Sequence, residues 1–153
     1  MRILGIDPGL QVTGYGLLES DGDKLQVLEA GVIRSDSAGA LETRLKEIAS
    51  ELDDILRQFA PDAMAIEELY SHYDHPITAI VMGHVRGVIM VRAAESRIPI
   101  ISYAPTRIKK ALTGNGRATK GQMQRMVQSS RSSLSTATVI VKHSRSAIGL
   151  SRA

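Results

Sequence analysis

The stretch ILGIDPGLQVTGYGLL, residues 3–18, decides the fold. Its first four residues, 3–6, form an apolar run that is typical of a strand buried on both faces. Asp7 follows immediately, and Pro8 and Gly9 then end the strand with a turn. A carboxylate beside a buried strand costs free energy unless it has a partner or a ligand. The position of Asp7 therefore requires an explanation.

The hydrophobic pattern along the rest of the chain predicts an α/β domain with a mixed sheet. Alternating apolar residues indicate two further strands, at residues 13–19 and 25–33, which continue the first as an antiparallel meander. Short apolar runs at residues 63–66 and 99–103 predict two more strands. Because helical segments separate these runs, we expect parallel strands on one side of the sheet and antiparallel strands on the other.

Two long helices are predicted between these strands. Apolar residues recur at steps of three and four over residues 41–59, which places six of them on one face of an amphipathic helix. The six are Leu41, Leu45, Ile48, Leu52, Ile55 and Phe59. A second helix is expected over residues 78–96, and Pro105 is expected to open a short third one. Gly83 and Gly87 permit close approach of another backbone, either that of the sheet or that of a second subunit.

The composition limits the class of protein. With 153 residues, 43% of them hydrophobic, the chain suits one compact domain. It has no cysteine, so any metal would be held by oxygen or imidazole, which favours hard ions such as magnesium. No export signal is visible, and His84 and Arg86 interrupt the most apolar stretch, ITAIVMGHVRGVIMV. We therefore expect a cytoplasmic protein without a membrane span.

The charges are distributed unevenly, which the net charge of +3 conceals. Residues 1–95 contain all 16 acidic residues and 8 of the 19 lysines and arginines. Residues 96–153 contain the other 11 basic residues and no Asp or Glu. Such a division is expected of a protein that binds a polyanion, although a solvated basic face would show it too.

Asp7 and Glu67 each follow a buried strand. If those strands lie side by side, both carboxylates project into one crevice at the carboxyl edge of the sheet, where ligands bind in open α/β sheets. Two carboxylates in a dry crevice repel each other, and a divalent cation between them removes the repulsion. The alternative is that Asp7 caps the turn at Pro8 and Gly9 and that Glu67 is exposed. Glu68 is expected in solvent on the opposite face.

Five stretches carry a resemblance to a known family. They are ILGIDPGLQVTGYGLL at 3–18, MAIEELY at 64–70, GHVRGV at 83–88, SYAPTRIKK at 102–110 and GNGRATKGQMQRMV at 114–127. In this order and without large gaps, they resemble the Holliday-junction resolvases of the RuvC type, over residues 1 to about 129. The resemblance implies a ribonuclease-H-like fold, a homodimer, a branch-migration motor complex as partner, and magnesium-dependent hydrolysis of four-way DNA junctions in recombination and repair.

The resemblance also assigns roles to residues. Asp7 matches the first catalytic carboxylate of the family and Glu67 the second. Both are therefore expected to bind magnesium, and Asp7 is expected to bridge two ions. Manganese is expected to substitute for magnesium. Tyr70 matches an aromatic residue that would stack on a base near the junction crossover; packing is its other possible role. Lys109 and Lys120 match phosphate-contacting positions. The basic rim around them, which could also be plain surface charge, would consist of Arg107, Lys110 and Arg117.

The chain departs from the family pattern after Gln128. The family completes its site from a final helix with two acidic residues three apart, but nothing after Glu95 is acidic here. Residues 129–153, SSRSSLSTATVIVKHSRSAIGLSRA, are rich in Ser and Arg and show no clear helical stripe. We interpret residues 1–128 as the nuclease domain and residues 129–153 as a non-family tail, which could be disordered. Our hypothesis is that a change of reading frame produced this tail. Sequencing the coding DNA tests this, since an acidic, alanine-rich helix should appear in another frame.

The missing acidic residues affect the expected activity. His143 is the only tail residue that could bind a metal near the expected place, and we expect it not to, because Ser and Arg residues, with Lys142, surround it. With Asp7 and Glu67 alone, magnesium binds weakly and the attacking water lacks orientation, so low activity is expected. Two alternatives stay open: a protein that binds junctions without cutting them, and an ATP-binding relative of the actin-like fold that uses GIDPG as a phosphate loop.

Overall fold

The computed structural model describes residues 1–21, 24–68 and 76–104, with the isolated positions 106, 115 and 117. The strands are β1 (Arg2–Asp7), β2 (Val12–Asp21), β3 (Lys24–Arg34), β4 (Ala63–Glu67) and β5 (Ile100–Tyr103), and the helices are α1 (Leu41–Phe59) and α2 (Pro76–Glu95). Within these residues the strands form one sheet in the order β3-β2-β1-β4-β5. The predicted α/β fold with a mixed sheet is confirmed.

The sheet is antiparallel on one side of β1 and parallel on the other. β1 pairs with β2 and β2 with β3 in antiparallel fashion, which is the predicted meander. β4 pairs in parallel with β1, with Ile6 opposite Ile66, and β5 pairs in parallel with β4, with Glu67 opposite Tyr103. The carboxyl ends of β1, β4 and β5 therefore meet at one edge of the sheet.

The main core lies between one face of the sheet and the two helices. Leu4 and Ile6 of β1 are buried there beside Met64 and Ile66 of β4. Five of the six residues of the predicted α1 stripe are buried in this core or pack against it: Leu45, Ile48, Leu52, Ile55 and Phe59. The sixth, Leu41 at the start of the helix, is half-buried and does not belong to this core. The helix ends where Ala60 adopts a left-handed backbone conformation, with φ of 43°, directly before Pro61.

The second face of the sheet carries a smaller cluster. Ile3 of β1, Ala65 of β4 and Tyr103 of β5 are buried together, and Met1 and Ile101 pack against them. Side chains alternate along a strand, so Asp7 lies on the same face as Ile3, four residues before it, and Glu67 on the same face as Ala65, two residues before it. Asp7 and Glu67 therefore lie on the face that carries this smaller cluster.

One side of α2 is apolar and exposed. Val85, Ile89 and Ala93 pack into the core, whereas the opposite side of the helix, which we call the α2 stripe, presents apolar and small residues to solvent. The α2 stripe consists of Ile77, Ile80, Gly83, Gly87 and Val91, and the exposed His84 lies among them on the same side. Among the described residues, nothing lies within 4 Å of a Cβ built on Gly83 or Gly87. The described strands of the sheet therefore do not pack closely against these two glycines. By length and composition alone, Ile77–Glu95 could cross a membrane, although the helix packs on α1 as in a globular domain.

Candidate active site

The structure places Asp7 and Glu67 at the carboxyl ends of two strands that lie side by side. Ile6 and Ile66 are partners in the parallel pair, so the next residues, Asp7 and Glu67, end neighbouring strands at the same level and on the same face. Asp7 is exposed and Glu67 is half-buried, so the site is open to solvent rather than a dry crevice. Glu68 is exposed, as expected.

A buried threonine fixes the turn that follows Asp7. The hydroxyl of Thr13 accepts a hydrogen bond from the backbone N–H of Gly9 at 3.2 Å and donates one to the carbonyl of Gly9 at 2.7 Å. A Cβ on Gly9 would lie 2.3 Å from the carbonyl oxygen of Val12, so the tight turn requires glycine. Among the described residues, none hydrogen-bonds the Asp7 side chain. The turn is therefore held by Thr13, and the capping alternative for Asp7 finds no support here.

Replacing Thr13 by valine should destabilise the fold by about 1–3 kcal/mol, because it leaves a donor and an acceptor of Gly9 without their partner. Thr13 is fully buried, so water cannot substitute easily for its hydroxyl. Urea unfolding of the purified chain measures the effect. Thr13→Ser keeps the hydroxyl and should restore most of the hydrogen bonding at the cost of one methyl group; equal stability of Thr13→Val and the parent chain would contradict this role.

An arginine from α2 holds the backbone at Glu67. Nη1 of Arg86 donates to the carbonyl oxygen of Glu67, and Nη2 donates to Oγ of Ser102 at 2.7 Å. The backbone N–H of Glu68 donates to the carbonyl of Tyr103 at 2.9 Å, which extends the pairing of β4 with β5. Sequence reasoning assigned no function to Arg86; its only signal was a charged residue within an apolar helix.

The donor set fits a hard divalent cation. Carboxylate oxygens are the ligands that Mg²⁺ and Mn²⁺ prefer, and Asp7 and Glu67 supply them from two neighbouring strands. In the part of the chain that the structure describes, no group of three or more His, Asp or Glu side chains could hold a metal. The two carboxylates alone therefore form a partial site, which water or further ligands would have to complete.

Most of the predicted DNA-binding residues lie outside the described residues. These are Tyr70, Arg107, Lys109, Lys110 and Lys120. The tail with His143 also lies outside the described residues, and of the short helix expected at Pro105 only Thr106 is described, as helical and exposed. Arg117 is described and exposed. Its backbone N–H donates to Oδ1 of Asn115 at 3.0 Å, which is an Asx turn, so its side chain is presented from a turn.

Comparisons with known proteins match most of the chain. The family model described as "Crossover junction endodeoxyribonuclease RuvC" matches residues 3–140. A protein with this description from Rhodopirellula baltica is 52% identical over 126 residues, which are 82% of this chain and 71% of that protein. Another, from Alkaliphilus metalliredigens, is 43% identical over 128 residues, which are 84% of this chain and 77% of that protein.

Solved structures show the same architecture. Thermus thermophilus RuvC in complex with a Holliday junction substrate superposes with a TM-score of 0.72 at 30% identity, covering 84% of this chain and 78% of that one. The yeast mitochondrial Holliday junction resolvase gives a TM-score of 0.60 at 16% identity, covering 83% of this chain and 60% of that one. At that level of identity the second likeness concerns the fold alone.

Proposed function

The chain belongs to the RuvC family of crossover junction endodeoxyribonucleases, and on this premise we propose that it cuts four-way DNA junctions through a metal site built on Asp7 and Glu67. Its class of activity, endonucleolytic hydrolysis of DNA in recombination and repair, follows from the family. The observation that carries the proposed site is the parallel pairing of β1 with β4, which brings the two carboxylates to one edge and one face of the sheet.

The two carboxylates have separate roles in this proposal. Asp7, exposed at the end of the central strand, would be the ligand shared by two ions, as the family resemblance implies, and the half-buried Glu67 would be a ligand of one of them. Mg²⁺ held by Asp7 and Glu67 would supply positive charge that stabilises the attacking water and the departing 3′ oxygen of the phosphodiester. Mn²⁺ has the same preference for oxygen ligands and should replace Mg²⁺.

A cleavage assay on a synthetic four-way junction tests the function. The full chain, incubated with labelled junction and with Mg²⁺ or Mn²⁺, should cut the junction in preference to a linear duplex of the same arm sequence. EDTA should stop cutting and spare binding, because the phosphate contacts of a basic surface do not need the ion. A chain that neither binds nor cuts the junction would overturn the proposal.

The basic half of the chain is proposed to hold the DNA. Residues 96–153 contain 11 of the 19 lysines and arginines and no acidic residue, so this part can offset the negative charge of the phosphates. Tyr70 is proposed to stack on a base at the crossover. The proposed phosphate contacts come from Arg107, Lys109, Lys110, Arg117 and Lys120.

Replacing Lys109 or Lys120 by alanine should weaken junction binding and reduce the slope of log affinity against log salt concentration by about one unit, because each contact releases about one counterion. The effect should be the same for different DNA sequences, since phosphate contacts carry no sequence information. Fluorescence anisotropy over a salt series measures the slope. Lys46→Ala, at an exposed position on α1, is the control and should leave the slope unchanged.

The α2 stripe is proposed as the homodimer surface. Ile77 is 76% exposed, Ile80 62% and Val91 54%, which is costly for a solvated helix and is explained by a second copy of the chain. Gly83 and Gly87 lie on the same side with open space above them, so the helix of a partner can approach closely. Two copies of one stripe would pack about a two-fold axis, as in most homodimers.

Ile80→Glu should convert the dimer to monomers. Burying one isoleucine contributes about 1.5–3 kcal/mol and the symmetric interface loses two, so the dissociation constant should rise at least about a hundredfold. Sedimentation velocity over a concentration series measures it. Val27→Glu is the control, because Val27 is 57% exposed on β3, away from α2, and should leave the dimer intact. A parent chain that is monomeric at high concentration would exclude this surface.

Other features of the proposal rest on the family alone. A branch-migration motor complex is the proposed partner, and the cytoplasm, where bacterial DNA lies, is the proposed location. The family match and the descriptions of the relatives do not favour an actin-like ATP-binding protein or a junction binder without nuclease activity.

A further inference from the structure

Arg86 connects the helix layer to the carboxyl ends of β4 and β5. Its guanidinium donates to the carbonyl of Glu67 from one nitrogen and to the hydroxyl of Ser102 from the other. Ser102 is the partner of Ile66 in the parallel pair, and Ile66 points into the helix-side core. Arg86 therefore reaches the strand ends from the helix side of the sheet.

This contact lies on the opposite side of the sheet from the two carboxylates. Asp7 and Glu67 project from the face that carries the cluster of Ile3, Ala65 and Tyr103, opposite to the helices. Arg86 thus touches the backbone of Glu67 without entering the space in which an ion or a phosphodiester would bind. Apart from the charge of its guanidinium, which Arg86→Lys preserves, Arg86 can influence that space only through the positions of the strand ends that it contacts.

The guanidinium group suits this role better than an ammonium group. It is a rigid, planar fork, so two of its nitrogens can bind acceptors on two strands at once, and it has a fixed direction for each hydrogen bond. A lysine at position 86 has one nitrogen at the end of a flexible chain and can serve the carbonyl or the hydroxyl with less definite geometry. The last backbone hydrogen bond between β4 and β5 runs from the N–H of Glu68 to the carbonyl of Tyr103. This N–H belongs to the same peptide group as the Glu67 carbonyl that Arg86 contacts.

We propose that Arg86 is a positioning residue for Glu67, which fixes the strand end so that the carboxylate meets the same divalent ion as Asp7. The proposal deepens the function given above and rests on it, because it takes Asp7 and Glu67 as the ion's ligands. Groups that orient a ligand from behind commonly change metal affinity by about 10- to 100-fold when removed. Arg86→Lys should therefore weaken ion binding by about tenfold.

The experiment compares metal binding with local order in the full chain. The variants are Arg86→Lys, Arg86→Met and Ser102→Ala, with Arg92→Lys as the matched control. Arg92 lies on the same helix and forms ion pairs with Asp53 at 3.6 Å and Glu95 at 2.7 Å, far from the strand ends. Mn²⁺ affinity is measured by electron paramagnetic resonance, with Asp7→Asn as the reference for a lost ligand. Amide hydrogen exchange is measured by NMR without metal.

Two results are expected together. Mn²⁺ affinity should fall about tenfold in Arg86→Lys and further in Arg86→Met, less in Ser102→Ala, and not in Arg92→Lys, at a temperature where all variants are folded. The Glu68 amide should exchange faster in the Arg86 variants, whereas the Met64 amide, which donates to Pro99 at 2.9 Å at the other end of the same strand pair, should not.

The failures are distinguishable. If the parent chain binds Mn²⁺ through Asp7 but Arg86→Lys binds it equally well, Arg86 only supports the fold and the inference is wrong, while the proposed function stands. If the Met64 and Glu68 amides accelerate equally, the loss is general destabilisation and the inference is also wrong. If Asp7→Asn and the parent chain bind Mn²⁺ alike, the proposed metal site itself is overturned, and the inference with it.

Discussion

Asp7→Asn is expected to abolish junction cleavage in a version of the chain that carries an acidic final helix, and to leave junction binding intact or tighter. The asparagine keeps the size of the side chain and removes the charge that would hold two cations. The ions contribute several kcal/mol to the transition state, so cleavage should fall at least about a thousandfold. Binding should not fall, because the substitution removes a negative charge that faces phosphates.

In this version of the chain, residues 129–153 are replaced by a helix of the family pattern, with two acidic residues three apart. Single-turnover cleavage and anisotropy on one junction give both quantities. Glu68→Gln is the control, since Glu68 is an exposed carboxylate one residue from Glu67. Cleavage retained in Asp7→Asn would refute the assignment of Asp7.

The chain with its own tail should cut junctions at least about a hundredfold more slowly than the version with the acidic helix, while it binds them with comparable, salt-sensitive affinity. Junction binding depends on the basic residues after position 95, and this chain retains them. Cleavage depends on the placement of the reacting groups, and misplacing them commonly lowers the rate about a hundredfold. Cleavage rates of both versions at saturating junction measure the difference. Equal rates would show that the tail completes the site in another way.

His143→Ala in the chain with its own tail separates two explanations for any residual activity. We expect the rate to change little, because His143 lies among Ser and basic residues and imidazole is not the ligand that Mg²⁺ prefers. The opposite result would be a chain that cuts as fast as the version with the acidic helix and loses this activity in His143→Ala. It would show that the histidine had replaced a missing carboxylate.

The sequence predicted the fold well where the hydrophobic pattern was long or repeated. The stripe from Leu41 to Phe59 and the apolar run before Asp7 each fixed an element, and the placement of Asp7 beside Glu67 followed from two strands that end in acid. The structure extends β2 by one residue at its start and two at its end, as far as Asp21, beyond the alternating stretch. It also contains an irregularity between Leu17 and Leu18, which no alternation pattern reports.

The residues that the sequence did not single out act through the backbone of other residues. Thr13 binds Gly9 and Arg86 binds Glu67, and neither contact follows from residue type and spacing alone. A threonine in a strand reads as an ordinary β-branched residue, and an arginine in a helix reads as surface charge. Such roles depend on which backbone groups lack partners in the folded state, and only the three-dimensional arrangement shows that.

The central position of β1 in the sheet determines when the site can form. Its pairing with β2 closes a short loop, whereas its pairing with β4 joins Ile3 to Ala63 and has to enclose the whole meander and α1. Closing a long loop costs more chain entropy and slows folding, so the hairpin should form early and the parallel pair late. During synthesis, Asp7 leaves the ribosome long before Glu67. We therefore expect the pair of carboxylates to assemble only near the end of folding, so that a growing chain cannot cut DNA before its fold is complete.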